Sequence, residues 1–398
     1  MCYSMFLLCL CGKKFNKNFF LLPFKLLSSY KKCNFVSVNE EINYIQRCIT
    51  LAENGLGNVA PNPMVGCVIV HNGRIIAEGY HREYGGPHAE VNAINSVKDP
   101  ELLKSSTLFV NLEPCVHFGK TPPCTDLIIR MGIPKVVIGN ADIYKEVAGK
   151  GIRKLKSAGI EVISGILNDE CRELNKRFFT YHEKKRPYII LKWAQTSDGF
   201  IGINRNINAE AKPIWISSEE IRILVHKWRT EEQSIMVGTN TALLDNPRLD
   251  ARDWSGPPER QTSFCRAGKS PIRIVLDKNL RLSKSLHLFD GSIPTIVLTS
   301  HENSHYKSNK VEYIGIDFKN NLAIQVCEVL YKKKIQSVII EGGRQLLQSF
   351  IECGVWDEAL ILINNKKFHE GVKAPEIAGK VKSETFFQND KLTIFRNI

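Results

Sequence analysis

Four side chains in the first half of the chain have the types and spacing of a hydrolytic metal site. His88 and Glu90 lie two residues apart in PHAE, and Cys115 and Cys124 flank an eight-residue loop in PCVHFGKTPPC. A catalytic zinc ion uses three protein ligands and keeps its fourth position open for a water molecule, whose pKa the metal lowers to about 7. His88, Cys115 and Cys124 are therefore the candidate ligands. Glu90 is left as the candidate proton carrier.

A carboxylate beside the ligands favours one class of hydrolysis, the removal of an amino group from a ring. Zinc deaminases of nucleobases combine an H-x-E motif with a P-C motif, and their glutamate moves a proton towards the leaving ammonia. The usual signature places two residues between the cysteines, whereas this chain has eight. Two alternatives stay open at this level: a structural zinc site with His117 as fourth ligand, and a set of residues that binds no metal.

The segments around these residues alternate between strand and helix patterns. Two apolar runs joined through Asn72-Gly73 predict a β-hairpin. The predicted helices cover residues 40–53, 124–131 and 150–158, with another from about residue 88, and the predicted strands cover residues 64–70, 75–78, 107–111, 135–139 and 160–163. This order predicts a three-layer α/β domain. His88 and Cys124 then open helices, where the helix dipole favours a thiolate.

A second α/β pattern follows the polar stretch YHEKKRPY at residues 181–188, which we interpret as the linker. The predicted strands cover residues 188–193, 234–237, 272–276, 295–299 and 337–340, and the predicted helices cover residues 218–228, 322–332 and 345–353. We place the two domains at residues 39–182 and 183–398. The EGG turn before the last helix is a candidate phosphate cradle, because main-chain N–H groups converge at such junctions.

Composition narrows the classes of function. The chain is 43% apolar and 24% charged, and no apolar run approaches the roughly 20 residues that a membrane span needs. The net charge is +13, but six lysines and no acidic residue lie in residues 1–38. The remainder has no dense basic run with interleaved aromatic residues, which argues against a nucleic-acid binder. The twelve cysteines form no regular framework, so we expect a reducing, cytoplasmic setting.

Residues 1–38 form an atypical N-terminal extension. Its apolar run precedes its lysines, which is the reverse of a secretory signal. We expect an over-extended reading frame that is not translated, with initiation near Val36 or Val38 at a non-ATG codon. An organelle-targeting segment is the alternative.

Three motifs in the first half occur together and in order: APNPMVGCVIV, GYHREYGGPHAE and NLEPCVHFGKTPPC. In this the chain resembles the bifunctional deaminase-reductases of riboflavin biosynthesis, in which the long insert between the cysteines is usual. The resemblance implies a cytidine-deaminase-like first domain with a catalytic zinc ion. It also implies that Asn62, His81 and Lys120 hold the pyrimidine and its ribose phosphate. A turn-forming Asn62 and a structural His81 are the alternatives.

Four segments of the second half resemble the reductase of the same family: KWAQTSDGFIG, WISSEEIRILVHKWR, SIMVGTNTALLDNPRLDAR and VIIEGGRQLLQSFI. The resemblance implies a dihydrofolate-reductase-like α/β fold and NADPH as cofactor. The implied cofactor contacts are Trp215, Thr241, Asp245, Gly343, Arg344, Gln345, Leu346, Leu347, Gln348 and Ser349. The implied substrate contacts are Arg229, Leu249, Arg252 and Glu341. A guanidinium suits a phosphate because it pairs two oxygens at once, and a solvated charge is the alternative for both arginines.

The resemblance implies two consecutive reactions on one small phosphorylated pyrimidine. The first domain would deaminate 2,5-diamino-6-(5-phosphoribosylamino)pyrimidin-4-one with zinc. The second would reduce the ribosyl group with NADPH, giving 5-amino-6-(5-phosphoribitylamino)uracil. We expect a homo-oligomer that binds neither nucleic acid nor membrane. Two rival functions are a deaminase of nucleosides or nucleic acid fused to an inert domain, and a non-catalytic zinc-stabilised binding module, in which replacing Glu90 changes nothing.

Overall fold

The structure is a computed structural model, and it describes residues 32–118, 122–143, 148–206, 210–254, 269–301, 307–308 and 310–397. Its helices are α1 Lys32–Ala52, α2 Ala89–Asn95, α3 Cys124–Arg130, α4 Lys150–Ser157, α5 Asn168–Leu174, α6 Lys176–Lys184, α7 Glu219–Glu231, α8 Thr239–Asp245, α9 Leu322–Lys332 and α10 Arg344–Glu352. None of the helices in these residues is long and apolar enough to cross a membrane.

The strands are β1 Gly66–His71, β2 Arg74–Tyr80, β3 Thr107–Leu112, β4 Lys135–Asn140, β5 Glu161–Ser164, β6 Tyr188–Thr196, β7 Phe200–Gly202, β8 Ser234–Val237, β9 Ile272–Leu276, β10 Thr295–Thr299, β11 Lys307–Ser308, β12 Val311–Gly315, β13 Ser337–Ile340, β14 Glu358–Asn364, β15 Val372–Lys373, β16 Lys380–Phe386 and β17 Asp390–Arg396. They form a five-stranded sheet, a ten-stranded sheet and the small pair β15-β7.

The first sheet has the order β2-β1-β3-β4-β5, with the β1-β2 hairpin antiparallel and β3, β4 and β5 parallel. Successive residues of β1 face opposite sides, as strand geometry requires. Cys67 and Ile69 pack in the hydrophobic core that α2, α3 and α4 cover, whereas Val68 and Val70 pack in the core that α1 and α5 cover. Helices therefore lie on both faces, and the predicted three-layer domain is confirmed.

The second sheet has the order β11-β12-β10-β9-β8-β13-β6-β14-β17-β16. The strands from β12 to β14 in this order run parallel, and β11, β17 and β16 are antiparallel to their neighbours. In β6, Ile189 and Leu191 pack towards α9 and α10, whereas Tyr188 and Ile190 pack towards α7. This is the predicted second α/β domain. The carboxyl ends of parallel strands meet at one edge, which is where such sheets bind ligands.

The predicted linker at residues 181–188 is largely regular structure. Helix α6 continues to Lys184 and β6 begins at Tyr188, so only residues 185–187 connect them. The interpretation as the linker stays a prediction, and the polar residues of its first half lie on one face of an amphipathic helix. Its other face, with Phe178, Phe179 and Tyr181, is buried. The predicted boundary between residues 182 and 183 falls inside this helix and stays a prediction.

Gly79 allows α2 to approach β2 closely. A Cβ atom at Gly79 would lie 2.4 Å from the main-chain nitrogen of Ala93 and 2.6 Å from the carbonyl oxygen of Ala89. Neither backbone atom can rotate away, so we expect Gly79→Ala to lower the free energy of unfolding by about 1–3 kcal/mol, the usual cost of overpacking. Thermal unfolding measures this loss. Gly202→Ala is the matched control, because its Cβ meets nothing within 4 Å; equal melting temperatures for the two variants would contradict the prediction.

Candidate active sites

The structure brings His88, Cys115 and Cys124 together. Their ligand atoms all lie within 4.8 Å of one another, and His88 Nδ1 is 3.6 Å from Cys115 Sγ and 3.3 Å from Cys124 Sγ. Ligand atoms around a tetrahedral zinc ion are about 3.3–3.8 Å apart, given Zn–N and Zn–S bonds of about 2.0 and 2.3 Å. The three side chains therefore fit a zinc ion. As the sequence predicted, His88 directly precedes α2 and Cys124 is the first residue of α3.

No fourth ligand joins this cluster among the residues that the structure describes. The only group of three or more metal-type side chains within this part of the chain is the His88, Cys115 and Cys124 trio, and His117 is not part of it. A set of three ligands leaves one coordination position for water, which is the arrangement of a catalytic rather than a structural zinc site.

Cys115 is held by the first turn of α3. The main-chain N–H and the hydroxyl of Thr125 donate to the Cys115 carbonyl at 3.2 and 3.1 Å, and the Cys124 N–H donates to Cys115 Sγ at 3.4 Å. Hydrogen bonds from Cys124 and His88 lower the pKa of Cys115 to about 4, although burial opposes this. One thiolate is thus available to a metal ion at neutral pH.

Glu113 is a supporting residue that our sequence analysis missed. Its buried carboxylate accepts main-chain N–H groups from Asp142, Gly149 and Ile152 at 3.1, 2.9 and 3.0 Å. These bonds tie the start of α4 to the segment that leads into Cys115. The signal was present as the E of NLEPC, directly before the proline and the cysteine, but local spacing does not reveal a buried carboxylate that binds a distant turn.

Glu90 lies in the first turn of α2, two residues after His88, and only 3% of its surface is exposed. Burial raises the pKa of Glu90. A carboxylate whose pKa moves towards neutrality is suited to take up and release a proton during a reaction.

A chain of hydrogen bonds leads from Asn62 to the residue before His88. His81 Nδ1 lies 2.9 Å from the Pro87 carbonyl, and Asn62 Nδ2 lies 3.1 Å from His81 Nε2. A carbonyl only accepts, so the His81 proton sits on Nδ1 and Nε2 accepts from the Asn62 amide. Burial lowers the pKa of His81, which fits a neutral ring. Lys120, the third predicted contact, lies outside the described residues.

The second site is a cavity of about 980 Å³ at the carboxyl ends of β6, β8, β9 and β13. Nine lysine and arginine residues line its described part, against two acidic residues: Lys192, Arg205, Arg222, Arg229, Arg248, Arg252, Lys278, Arg281 and Arg344, with Asp245 and Glu341. A cavity of this size at a sheet edge is typical of small-molecule sites. Its cationic lining suits phosphorylated ligands.

The cavity gathers nearly all of the residues predicted for the second site. Those that line it are Trp215, Arg229, Thr241, Asp245, Leu249, Arg252, Glu341, Gly343, Arg344, Gln345, Leu346, Leu347 and Ser349. Gln348 does not line it, and its side chain accepts a hydrogen bond from the Glu376 N–H at 3.0 Å. Gln348 points away from the cavity because successive side chains of a helix project in different directions.

The start of α10 has the features of a phosphate site. Gly343 directly precedes this helix, and a Cβ atom at Gly343 would lie 3.4 Å from Thr241 Oγ1. The first N–H groups of a helix have no partner within it and favour anions. Arg344 Nε is buried without a hydrogen-bond partner among the described residues. An unpaired guanidinium nitrogen beside free N–H groups fits the phosphates of NADPH.

Arg229 and Glu341 form a buried pair in the wall of this cavity. Arg229 Nε and Nη2 donate to the two Glu341 oxygens at 3.1 and 2.7 Å, and Nη1 donates to the Asp250 carbonyl at 3.0 Å. Burial disfavours the Glu341 carboxylate, but the charges of Arg229 and Lys192 outweigh it and lower its pKa to about 2. Glu341 is therefore ionised at neutral pH.

Lys192 is the second functional candidate that our sequence analysis missed. It lies on β6, lines the cavity, and has a pKa lowered by burial, which the nearby Glu341 partly offsets. The signal was a lysine inside the apolar strand run YIILKWA, where a charged residue is unusual unless it faces a site.

Comparisons with known proteins match both halves of the chain. Residues 38–140 match the family model of the cytidine and deoxycytidylate deaminase zinc-binding region, and residues 187–390 match that of the RibD C-terminal domain. The riboflavin biosynthesis protein RibD of Aquifex aeolicus is 40% identical over 339 residues, which cover 84% of this chain and 90% of that protein. RibD of Escherichia coli is 35% identical over 327 residues, covering 81% and 87%.

Solved structures agree with this. The diaminohydroxyphosphoribosylaminopyrimidine deaminase/5-amino-6-(5-phosphoribosylamino)uracil reductase of Thermotoga maritima is 36% identical with a TM-score of 0.79, covering 91% of this chain and 100% of that one. RibD of Acinetobacter baumannii is 28% identical with a TM-score of 0.78, covering 91% and 99%. Because these relatives span both halves and most of the chain, the protein belongs to the RibD family of riboflavin biosynthesis.

Proposed function

We propose that His88, Cys115 and Cys124 hold the zinc ion of a deaminase site in which Glu90 carries the proton, and that the cationic cavity holds NADPH and the ribose phosphate. The chain is a bifunctional enzyme of riboflavin biosynthesis, with a zinc-dependent deaminase and an NADPH-dependent reductase. One observation supports the residue assignment most strongly. Glu90 is buried two residues after His88, and the ligand atoms of His88, Cys115 and Cys124 lie as close together as those around a zinc ion.

In the deaminase site, a bound zinc ion supplies a water molecule of lowered pKa. Glu90 accepts the proton of that water and passes it to the amino group that leaves as ammonia, so the carboxylate ends in its starting form. Asn62 presents its oxygen to the pyrimidine, since its nitrogen is engaged by His81. His81 in turn stays oriented by the Pro87 carbonyl. Lys120 stays a predicted contact of the ribose phosphate.

In the reductase cavity, NADPH supplies the hydride that converts the ribosyl group to ribityl. The start of α10, with Arg344, binds cofactor phosphate through N–H groups and a guanidinium. Glu341 keeps Arg229 aimed into the cavity, and Arg252 offers a second guanidinium to the substrate phosphate. Lys192 adds a buried ammonium beside Glu341, where it can donate to a sugar oxygen.

We also propose that the enzyme works in the cytoplasm, as a homo-oligomer, and without nucleic acid. Seven cysteines are free among the residues whose side chains the structure describes, which supports a reducing compartment. The cations are gathered in a cavity of small-ligand size, whereas strand binders line a long groove with cations and aromatic residues. The oligomeric state stays a prediction that light scattering tests.

Removal of zinc should separate the two reactions. We expect dialysis against a chelator to lower ammonia release at least about 100-fold, because a bound zinc ion would lower the pKa of the attacking water. Reduction should persist when the deaminated ribosylaminouracil phosphate is supplied with NADPH. Mass spectrometry of the products distinguishes the two steps, since reduction adds two hydrogens. Addition of zinc is the control and should restore deamination.

Two results would contradict this assignment. Deamination that survives complete removal of zinc would mean that the trio is not the catalytic metal site. Loss of reduction together with zinc would mean that the trio supports the whole chain rather than one reaction, as a structural zinc ion does.

A further inference from the structure

The loop that carries Asn62 rests on the second domain. This loop, residues 57–64, lies between α1 and β1 of the first domain. We propose that Gln336, directly before the second domain's strand β13, is a positioning residue for deamination, because it holds this loop in place. The inference rests on the proposed function of Asn62 and extends it to a residue of the reductase domain.

The first contact is a hydrogen bond across the domains. Gln336 Nε2 donates to the Pro61 carbonyl at 2.8 Å, and only 3% of Gln336 is exposed. The main chain of Gln336 is fixed independently, since its N–H donates to Gln233 Oε1 at 2.5 Å and its carbonyl accepts the Tyr188 N–H at 2.8 Å. The side chain therefore reaches the loop from the amino end of a central strand, where its own main chain is hydrogen-bonded on both sides.

The second contact is a close approach of two backbones. A Cβ atom at Gly57 would lie 2.1 Å from the carbonyl oxygen of Thr230, which is the residue after Arg229 on α7. The loop thus touches the second domain at both Gly57 and Pro61. The same helix end carries an arginine of the reductase cavity.

The ends of the loop, at residues 58, 59 and 64, make several hydrogen bonds within the first domain, whereas its centre at residues 60–63 makes few. Pro61 and Pro63 lack an N–H group, so two of the four residues at 60–63 cannot donate from the main chain. Within the first domain, the Asn62 N–H donates to the Val59 carbonyl at 2.9 Å, and the Met64 N–H donates to Asn175 Oδ1 at 2.7 Å. The peptide between Pro61 and Asn62 is the point that Gln336 holds.

A shift of this peptide would change hydrogen bonds that extend to the metal site. Asn62 bonds His81 at 3.1 Å, and His81 bonds the carbonyl of Pro87, which precedes His88, at 2.9 Å. Three hydrogen bonds therefore link Gln336 to the residue before a predicted zinc ligand. Loss of the first bond should let the Asn62 amide turn away from the pyrimidine while the ligands keep their own support from α2 and α3.

The test is Gln336→Met in the full chain, because methionine keeps the length of the side chain and removes the donor. We expect the KM for deamination to rise about 5- to 30-fold, the effect of one buried hydrogen bond, with kcat changed less than about 3-fold. Zinc content and reduction of the separately supplied aminouracil should stay unchanged. Hydrogen exchange at residues 57–64 should become faster.

Gln325→Met is the matched control. Gln325 lies on α9, and its Nε2 also donates to a main-chain carbonyl of the second domain, that of Asp317, at 2.6 Å. This bond is not made to the loop at residues 57–64. If Gln336→Met also lowers reduction, Gln336→Asn replaces it, because asparagine keeps the polar amide but is one methylene group too short to reach the Pro61 carbonyl. A raised deamination KM in that variant supports the inference.

An unchanged deamination KM in the Gln336 variants, with wild-type enzyme active, overturns the inference and leaves the proposed function intact. A wild-type chain that reduces but does not deaminate contradicts the proposed function of the zinc site, and the inference falls with it. The wild-type assay thus distinguishes the two failures.

Discussion

We expect Glu90→Gln to lower the rate of deamination by about 10²–10⁴-fold, the usual contribution of a positioned acid-base group. Glutamine keeps the size and polarity of the buried side chain but cannot take a proton from water and release it to ammonia. Because Glu90 is not one of the three clustered ligands, zinc content should stay at the wild-type level. Steady-state ammonia release and metal analysis on the same sample check both halves of this prediction.

The matched control is Glu101→Gln, at an exposed glutamate whose partner Lys104 lies on the same short helix. It should deaminate at the wild-type rate. Wild-type activity in Glu90→Gln would favour the zinc-stabilised binding module over an enzyme. Loss of zinc in this variant would instead indicate that Glu90 is a zinc ligand, and the proton carrier would then be another group.

We expect Arg229→Met to remove reduction and to lower the free energy of unfolding by about 3–5 kcal/mol, the usual result of breaking a buried ion pair. The side chains of Arg229 and Glu341 are only 12% and 8% exposed, so the variant leaves a buried carboxylate without its arginine. Deamination should persist at temperatures where the variant is folded. Chemical unfolding and the two separate activity assays provide the measurements.

The loss of stability in Arg229→Met should depend on pH, because the charge of Glu341 does. In the wild type, the pKa of Glu341 is lowered to about 2, so the pair stabilises the fold above the ordinary glutamate pKa of about 4.3 and is lost as the pH falls towards 2. Without Arg229, burial raises the pKa of Glu341 relative to the wild type. The deficit of the variant should therefore shrink as the pH falls from about 6 to about 4.

The double variant Arg229→Met/Glu341→Gln is the control. It removes the unpaired charge, so it should recover much of the lost stability while reduction stays absent. A single variant as stable as the wild type would mean that solvent reaches Glu341. Reduction at the wild-type rate in the single variant would exclude Arg229 from the reductase site.

Helix α6 shows that polarity alone does not reveal what a charged residue contacts. The stretch that looked like a solvated linker includes part of this helix, whose Lys176 lies 2.9 Å from both carboxylate oxygens of Glu358. Arg177 also pairs with a buried partner, Glu232, through Nε at 2.8 and 3.0 Å. These two charges, which precede the stretch interpreted as the linker, face residues of the second domain and not water. A run of charges cannot reveal whether its partners are water or residues 182 positions away.

The sequence by itself predicted the features that depend on local order. The helix and strand periods, the Asn72-Gly73 hairpin and the two α/β domains follow from spacing within each segment, because backbone geometry repeats every few residues. His88, Glu90 and the two cysteines were recognisable because zinc chemistry restricts which side chains can serve and because short motifs carry them. The family followed from the order of those motifs.

Only the tertiary structure decided which distant residues support each site. Glu113 holds the start of α4, Lys192 stands beside Glu341, and Gln336 reaches the Pro61 carbonyl 275 positions away. The roles of Glu113 and Lys192 depend on the order of the elements within one domain, and the role of Gln336 depends on how the two domains meet. Burial and long-range contact have no local period in the chain, so a polar residue that serves a remote backbone looks in sequence like any other polar residue.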